Sequence, residues 1–314
     1  MTEQIATRDA YGKKLAALGE LHSDIVVLDA DLSGSTKTAV FAKKFPQRFF
    51  NMGVAEQDLM GTAAGFALTG KVSFVSTFAM FATGRAWEIV RNSIAYPHLN
   101  VKICATHAGL TVGEDGASHQ TVMDISLMRV IPGMTVLVPA DGVETEQMIE
   151  AAYKTPGPVY VRLSRAKFPV IFDSSYKFEV GKAKVLTEGK DIAIIACGLM
   201  TSHALEAQKI LAQQGIQASV VNCSSIKPLD EKTILELAQK TKCILTVEEH
   251  SIIGGLGSAV SEYLSGVYPV PIHRMGVRDQ FGQSAPAEVL LKEYKLLASD
   301  IAHEASSFIK ERKK

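Results

Sequence analysis

Short apolar runs recur along the chain, most followed by a stretch whose apolar positions return every three or four residues. The run 24–32 (DIVVLDADL) is continuous enough for a strand buried on both faces, and it ends in acidic and small residues. Segment 56–68 (EQDLMGTAAGFAL) then takes helical spacing. A strand is expected at 71–78, then a helix at 79–96 with Gly84 as its weak point. Further strands are expected at 100–109, 134–140 and 158–164, with a helix at 143–154 between the last two. Such alternation predicts an α/β fold with a mostly parallel sheet covered by helices.

The rhythm breaks around 166–188, where a proline, a turn-like DSS and charged residues intervene. It then restarts with strands at 191–198, 218–230 and 243–250 and helices at 201–214 and 231–241. Two units are therefore expected: 1–168, a linker over 169–188, and a smaller α/β unit over 189–314. The halves share no sequence repeat.

A length of 314 residues with 47% hydrophobic side chains suffices for a substantial core. Lys+Arg and Asp+Glu both number 33, so charge gives no reason to expect nucleic acid or an anionic membrane as partner. Cys104, Cys197, Cys223 and Cys243 lack metal-ligand spacing and read as reduced core residues. The start MTEQIATRDAYGKKL has no apolar secretory segment, and no later run is long enough to span a bilayer. A cytoplasmic location is the expectation.

In open parallel sheets ligands gather at the carboxyl ends of strands. Asp29, Asp31, Ser33 and Ser35 follow the first strand, His107 follows another, and Arg165 a third. The Gly-rich loop 107–120 (HAGLTVGEDGASHQ) adds Glu114, Asp115 and His119. Singly, these read equally well as a turn, a satisfied loop histidine and a surface ion pair; their convergence on one sheet edge favours a site. GEDG lacks the ligand spacing of a calcium loop, and GGLGS (254–258) is not a full dinucleotide fingerprint. Walker lysine, HEXXH and paired-cysteine signatures are missing too, and no metal site is assigned. Glu56 stands out as an acid at the mouth of an apolar helix, where favourable interaction with the helix dipole is the plain explanation.

The segments NMGVAEQDLMG, STFAMFATGRAWEIVRN, HAGLTVGEDGASHQ and GPVYVRLSR resemble, in sequence and order, the pyrimidine-binding domain of the thiamine-diphosphate-dependent transketolases. VEEHSIIGGLGSAVSE and GVRDQFGQS resemble that family's carboxyl-terminal domain. The family's amino-terminal domain, whose GDG and Asn hold the diphosphate through a divalent metal, has no counterpart here. The resemblance is thus to the carboxyl-terminal subunit of a split transketolase. It implies a separate amino-terminal partner subunit holding the diphosphate and a metal, expected to be Mg, and an α2β2 assembly acting on sugar phosphates.

The resemblance also implies roles. Glu56 matches the carboxyl that hydrogen-bonds N1' of the aminopyrimidine and favours its imino tautomer, the cofactor's own base. Phe78 and Phe81 match residues contacting that ring, whereas a third family aromatic is here Gly84, leaving Trp87 as the nearby substitute to examine. Asp31 matches a position near the cofactor. Arg8, Ser35, His107 and Arg165 match the binders of the substrate phosphate, to which guanidinium, imidazole and hydroxyl groups can all donate. Asp115 matches the reader of a substrate hydroxyl, and His119 a contact to the donor ketose. The carboxyl-terminal unit receives no catalytic residue. Two alternatives stay open: the E1 β subunit of a 2-oxoacid dehydrogenase, and a non-catalytic transketolase-like scaffold.

Overall fold

The computed structural model describes residues 3–312. In chain order its strands are β1 (Gln4–Ala6), β2 (Ile25–Asp29), β3 (Phe49–Asn51), β4 (Val72–Ser76), β5 (Val101–Ala105), β6 (Thr135–Leu137) and β7 (Val159–Arg162). There follow β8 (Lys167–Pro169), β9 (Lys184–Thr187), β10 (Ile192–Ala196), β11 (Ala218–Asn222), β12 (Ser225–Lys227), β13 (Ile244–Ser251) and β14 (Ile272–Val277). A seven-stranded sheet runs β12-β6-β7-β5-β4-β2-β3 and a five-stranded sheet β14-β13-β10-β11-β9. Both are parallel except at one edge, where β12 and β9 run antiparallel to their neighbours. Every residue of β2, β4, β5, β10 and β11 is buried, as continuous apolar runs demand of strands covered on both faces.

Alternation along β2 divides the core. Ile25 and Val27 pack with Tyr11, Leu15 and Met148 from the helices Thr7–Leu21 and Gly142–Lys154. Val26 and Leu28 face the opposite way, toward Leu59, Met60 and Ala63 of the helix Glu56–Leu68. This second cluster continues into Ile195, Val221, Ile234 and Leu256, so one apolar core spans both halves. Burying such side chains contributes roughly 1.5–3 kcal/mol each relative to exposure.

Three expectations differ from the structure in detail. The run 218–230 is not one strand: β11 belongs to the second sheet, and β12 crosses to pair with β6 of the first. The polar Asn222–Ser225 stretch allows the crossing, for Val138 N donates to Ser224 O, and Lys227 Nζ then donates to the carbonyls of Arg129 and Ile131. The 79–96 helix exists but is wound wide over Phe81–Arg85 and Val90–Ala95, with i to i+5 bonds such as Ala86 N to Phe81 O and Tyr96 N to Arg91 O. Segment 166–188, expected as linker from 169, supplies β8 at its start, paired with β1, and β9 near its end. All four cysteines are buried and free. Among the described residues no helix is long and apolar enough to cross a membrane.

Candidate active site at the strand carboxyl ends

At the end of β2, the fully buried Asp29 accepts from Leu32 N (2.6 Å), Thr36 Oγ1 (2.6 Å) and Thr38 Oγ1 (2.8 Å). Burial pushes its carboxyl pKa up, and these hydrogen bonds oppose that push. Anchored this way, the turn takes left-handed backbone at Asp31 (φ 62°) and Lys37 (φ 72°). Asp31 is turned toward β3, where its Oδ1 accepts from Asn51 Nδ2 at 2.8 Å. The Ser35 carbonyl accepts from Arg8 Nη1 at 3.1 Å.

Arg8 reaches this edge because the helix Thr7–Leu21 is tied to the end of β7: Ser164 N donates to Thr7 Oγ1 at 2.8 Å. Its Nη1 also lies 3.2 Å from His107 Nε2, and its Nε is buried without a partner among the described residues. A guanidinium only donates, so Nε2 accepts and Nδ1 carries the proton toward Thr106 Oγ1 at 2.8 Å. Burial, then the charges of Arg8 and Arg165, lowers the His107 pKa from 6.5 to about 3.

The His107 ring stacks on Phe78, with centroids 3.8 Å apart. Phe78 lies near-parallel to Phe81 at 6.4 Å, and Phe81 meets His119 edge-on at 5.4 Å. On the loop, Arg165 Nη1 donates to Val112 O (2.6 Å) and pairs with Glu114 (3.6 Å) and Asp115 (3.8 Å). Arg8, Ser35, His107, Phe78, Phe81 and His119 thus form one chain of contacts, with the Arg165–Asp115 pair beside it. Asp31 stands to one side with Asn51.

Glu56 opens the helix Glu56–Leu68 and is only 5% exposed. Among the described residues its carboxylate has no hydrogen-bond partner; Arg85 Nε stands off at 3.9 Å. Arg85 sits one wide turn beyond Phe81, and Gln57 Nε2 donates to its carbonyl at 3.4 Å, so acid and aromatics share one corner. Gly84 is exposed there, and a Cβ would meet only Met80 Cε, at 3.1 Å. Trp87 Nε1 donates to Leu127 O at 2.8 Å.

Sequence reasoning missed Arg85, Asn51 and Thr106 as parts of this edge. Only Arg85 left a trace, as the first cation inside an apolar helical stretch. Cavities of about 790 and 700 Å³ are lined by none of the expected site residues. Among the described residues no group of His, Cys, Asp and Glu is arranged to hold a metal ion.

Comparison with known proteins accords with this geometry. The transketolase pyrimidine-binding domain family matches residues 3–170, and the transketolase C-terminal domain family residues 181–301. A Methanocaldococcus jannaschii protein named as a transketolase C-terminal section is 52% identical over 94% of this chain and 93% of its own. The 6-deoxy-6-sulfo-D-fructose transketolase subunit SqwH of a Clostridium species is 40% identical over 95% of this chain and 94% of its own. Homo sapiens transketolase is 39% identical over 92% of this chain but 46% of its own length, so the chain spans about half of that enzyme. A solved split-gene transketolase, described as an inactive beta4 tetramer, superposes with a TM-score of 0.91 at 54% identity, over 98% of this chain and 99% of that one. Two family matches covering both sheets, and relatives matching end to end, identify the chain as a member of the transketolase family.

Proposed function

We propose that this subunit, joined to an amino-terminal partner subunit, moves a two-carbon ketol unit from a ketose phosphate to an aldose phosphate. The observation that carries the reading is Glu56: a residue only 5% exposed, 3.9 Å from Arg85 Nε in the corner that Phe81 also occupies, whose carboxylate has no hydrogen-bond partner among the described residues. The carboxylate therefore has acceptor positions free for a ligand that donates a hydrogen bond. A nitrogen heterocycle flanked by Phe78 and Phe81 fits that need, and the aminopyrimidine of thiamine diphosphate is such a group. Thiamine diphosphate, when bound, would supply the carbanion chemistry.

The residues of this chain have separable tasks. Glu56 shares a proton with the ring nitrogen and so sets the tautomer. Arg8, Arg165, Ser35 and His107 bind the anionic end of the sugar. His107 reaches a phosphate in its other tautomer, Nε2–H, once the anion draws Arg8 Nη1 away from Nε2, and the Thr106 hydroxyl then donates to Nδ1 instead of accepting from it. Asp115 reads a substrate hydroxyl, His119 contacts the donor ketose, and Asp31 lies toward the cofactor. The diphosphate and its metal, Mg, belong to the partner, in an α2β2 complex.

Relatives differ in the sugar: one is the sulfofructose transketolase subunit above, another an apulose-4-phosphate transketolase subunit from Phocaeicola vulgatus, 38% identical over 98% of both chains. What those names share is a sugar with an anionic substituent, the part that the arginines suit. The test is reconstitution with the partner and assay of sugar phosphates against 2-oxoacids. Glu56→Ala should lower turnover at least about a hundredfold while the pair still assembles, the scale of a lost general acid–base group. Unchanged turnover would leave a scaffold role, and activity on 2-oxoacids alone a dehydrogenase subunit.

A further inference from the structure

The carboxyl-terminal unit carries no residue assigned to the chemistry, yet it supplies the groups that grip the loop Gly109–Gln120. Glu249, at the end of β13, is 4% exposed, and its Oε1 accepts from Thr111 N at 2.5 Å. Gly109 takes φ 85° directly against that carboxylate, where a Cβ would lie 2.4 Å from Oε1. Further along, Gln283 O lies 2.8 Å from the buried Gln120 Nε2, which also reaches Leu110 O (3.2 Å) and Gly113 O (3.0 Å). Ser284 Oγ donates to Glu114 O at 2.6 Å.

The loop's own ties are local turns such as Gly113 N to Leu110 O and Gly116 N to Gly113 O, with Arg165 Nη1 on Val112 O. Gly109, Gly113 and Gly116 all have positive φ, and its only helical element is the single turn Leu110–Val112. Glycine there carries the largest conformational entropy to be lost on ordering. Glu249 is held in its turn by Arg162, whose Nη2 donates to the Glu249 carbonyl at 2.9 Å and whose Nε pairs with Asp124 at 2.8 Å. Deleting the Glu249 side chain therefore leaves Arg162 paired.

We infer that Glu249 is a positioning residue: through Thr111 N and the Gly109 contact it fixes the loop that presents Asp115 and His119, so the carboxyl-terminal unit sets how the sugar is read. The inference rests on the proposed function for what the loop binds. The grip itself is testable without it.

The test uses the reconstituted pair with Glu249→Ala, Glu249→Gln and Ser284→Ala, following amide hydrogen exchange over 109–120 and KM against kcat for the ketose. In Glu249→Ala, exchange at Thr111 and its neighbours should quicken about tenfold or more, the scale of one hydrogen bond to a charged acceptor. KM should rise about tenfold with kcat within about twofold, as for a loop ordered only part of the time. Glu249→Gln, whose Oε1 can accept the same N–H, should restore most of both. Should Glu249→Ala fail to fold, the exposed Ser284→Ala must quicken exchange around Glu114. Unchanged loop exchange in either variant, or a Glu249→Gln as impaired as Glu249→Ala, overturns the inference. A wild-type pair without turnover would sink the proposed function instead, while the exchange data would still decide the grip.

Discussion

Acidifying the protein from about pH 7.5 to about pH 5 tests the neutrality of His107. Its ring is 3% exposed, faces Arg8 at 3.2 Å, and feels Arg165, His119 and Lys37 as well. Desolvation and these charges oppose protonation, and the folded pKa falls from 6.5 to about 3. The unfolded chain therefore binds the proton first. This contribution to stability is whole above the unfolded value of 6.5 and is lost progressively as pH falls toward about 3. At about pH 5 the unfolded ring is almost fully charged and the folded ring neutral, which removes about 2 kcal/mol, with a slope near 1.4 kcal/mol per pH unit.

Urea unfolding followed by the single tryptophan reports this, because Trp87 is anchored in the same unit by its bond to Leu127 O. His107→Gln keeps an acceptor for Arg8 and cannot titrate. Between the two pH values it should lose about 2 kcal/mol less than the wild type, and other buried groups such as His203 cancel in the difference. Nitrogen NMR of the imidazole should find the proton on Nδ1 and no protonation above about pH 4. Parallel pH profiles for the two proteins, or a His107 ring titrating near its ordinary value, would refute the reasoning.

Three further outcomes are expected. Glu144 accepts from Ala140 N, Tyr176 Oη, Asn222 Nδ2 and Ser224 Oγ within 2.6–3.1 Å, joining the first unit to the linker and the second. Glu144→Gln turns an NH2 against those donors and should cost about 3 kcal/mol in denaturant unfolding; a midpoint equal to wild type would count against that node. Gly84→Ala meets only the flexible end of Met80 in an exposed helical position and should raise stability by about 0.5–1 kcal/mol in the same assay, with destabilisation as the contrary result. Gly142→Ala, by contrast, sets a Cβ 2.8 Å from Ile5 Cγ2 where a helix begins, and thermal unfolding should show a loss of about 1–3 kcal/mol rather than a gain.

Legibility in the sequence followed burial. β2, β4, β5, β10 and β11 announce themselves because both faces are covered, leaving continuous apolar runs with polar ends. The helix Thr7–Leu21 does not, since Gly12 and Gly19 read as breakers. Each is a close contact instead: a Cβ on Gly12 would lie 2.6 Å from the Lys37 carbonyl, and one on Gly19 would lie 2.5 Å from the Phe41 ring. β12 is hidden for another reason. Its residues continue the polar and apolar pattern of β11, and only pairing with β6 in the other sheet separates the two. Local pattern carries no information about which sheet a strand joins.

The site divides along the same line. Residues at strand ends, such as Asp31 and His107, can be found from topology, because a parallel sheet gathers its carboxyl ends on one edge. Their partners cannot. Arg8 lies in a plain stretch and gains its position from a bond between residues 157 apart, Thr7 and Ser164. Glu249 looks like half of an acidic pair on a strand, yet its partner Thr111 lies 138 residues earlier. A loop with positive φ at Gly109, Gly113 and Gly116 has no side chains at those points with which to brace itself. The reach needed to follow a sugar and the order needed to read it therefore have different sources: glycine gives the first, while Arg165 and Gln120 of the first unit and Glu249 and Ser284 of the second share in the other.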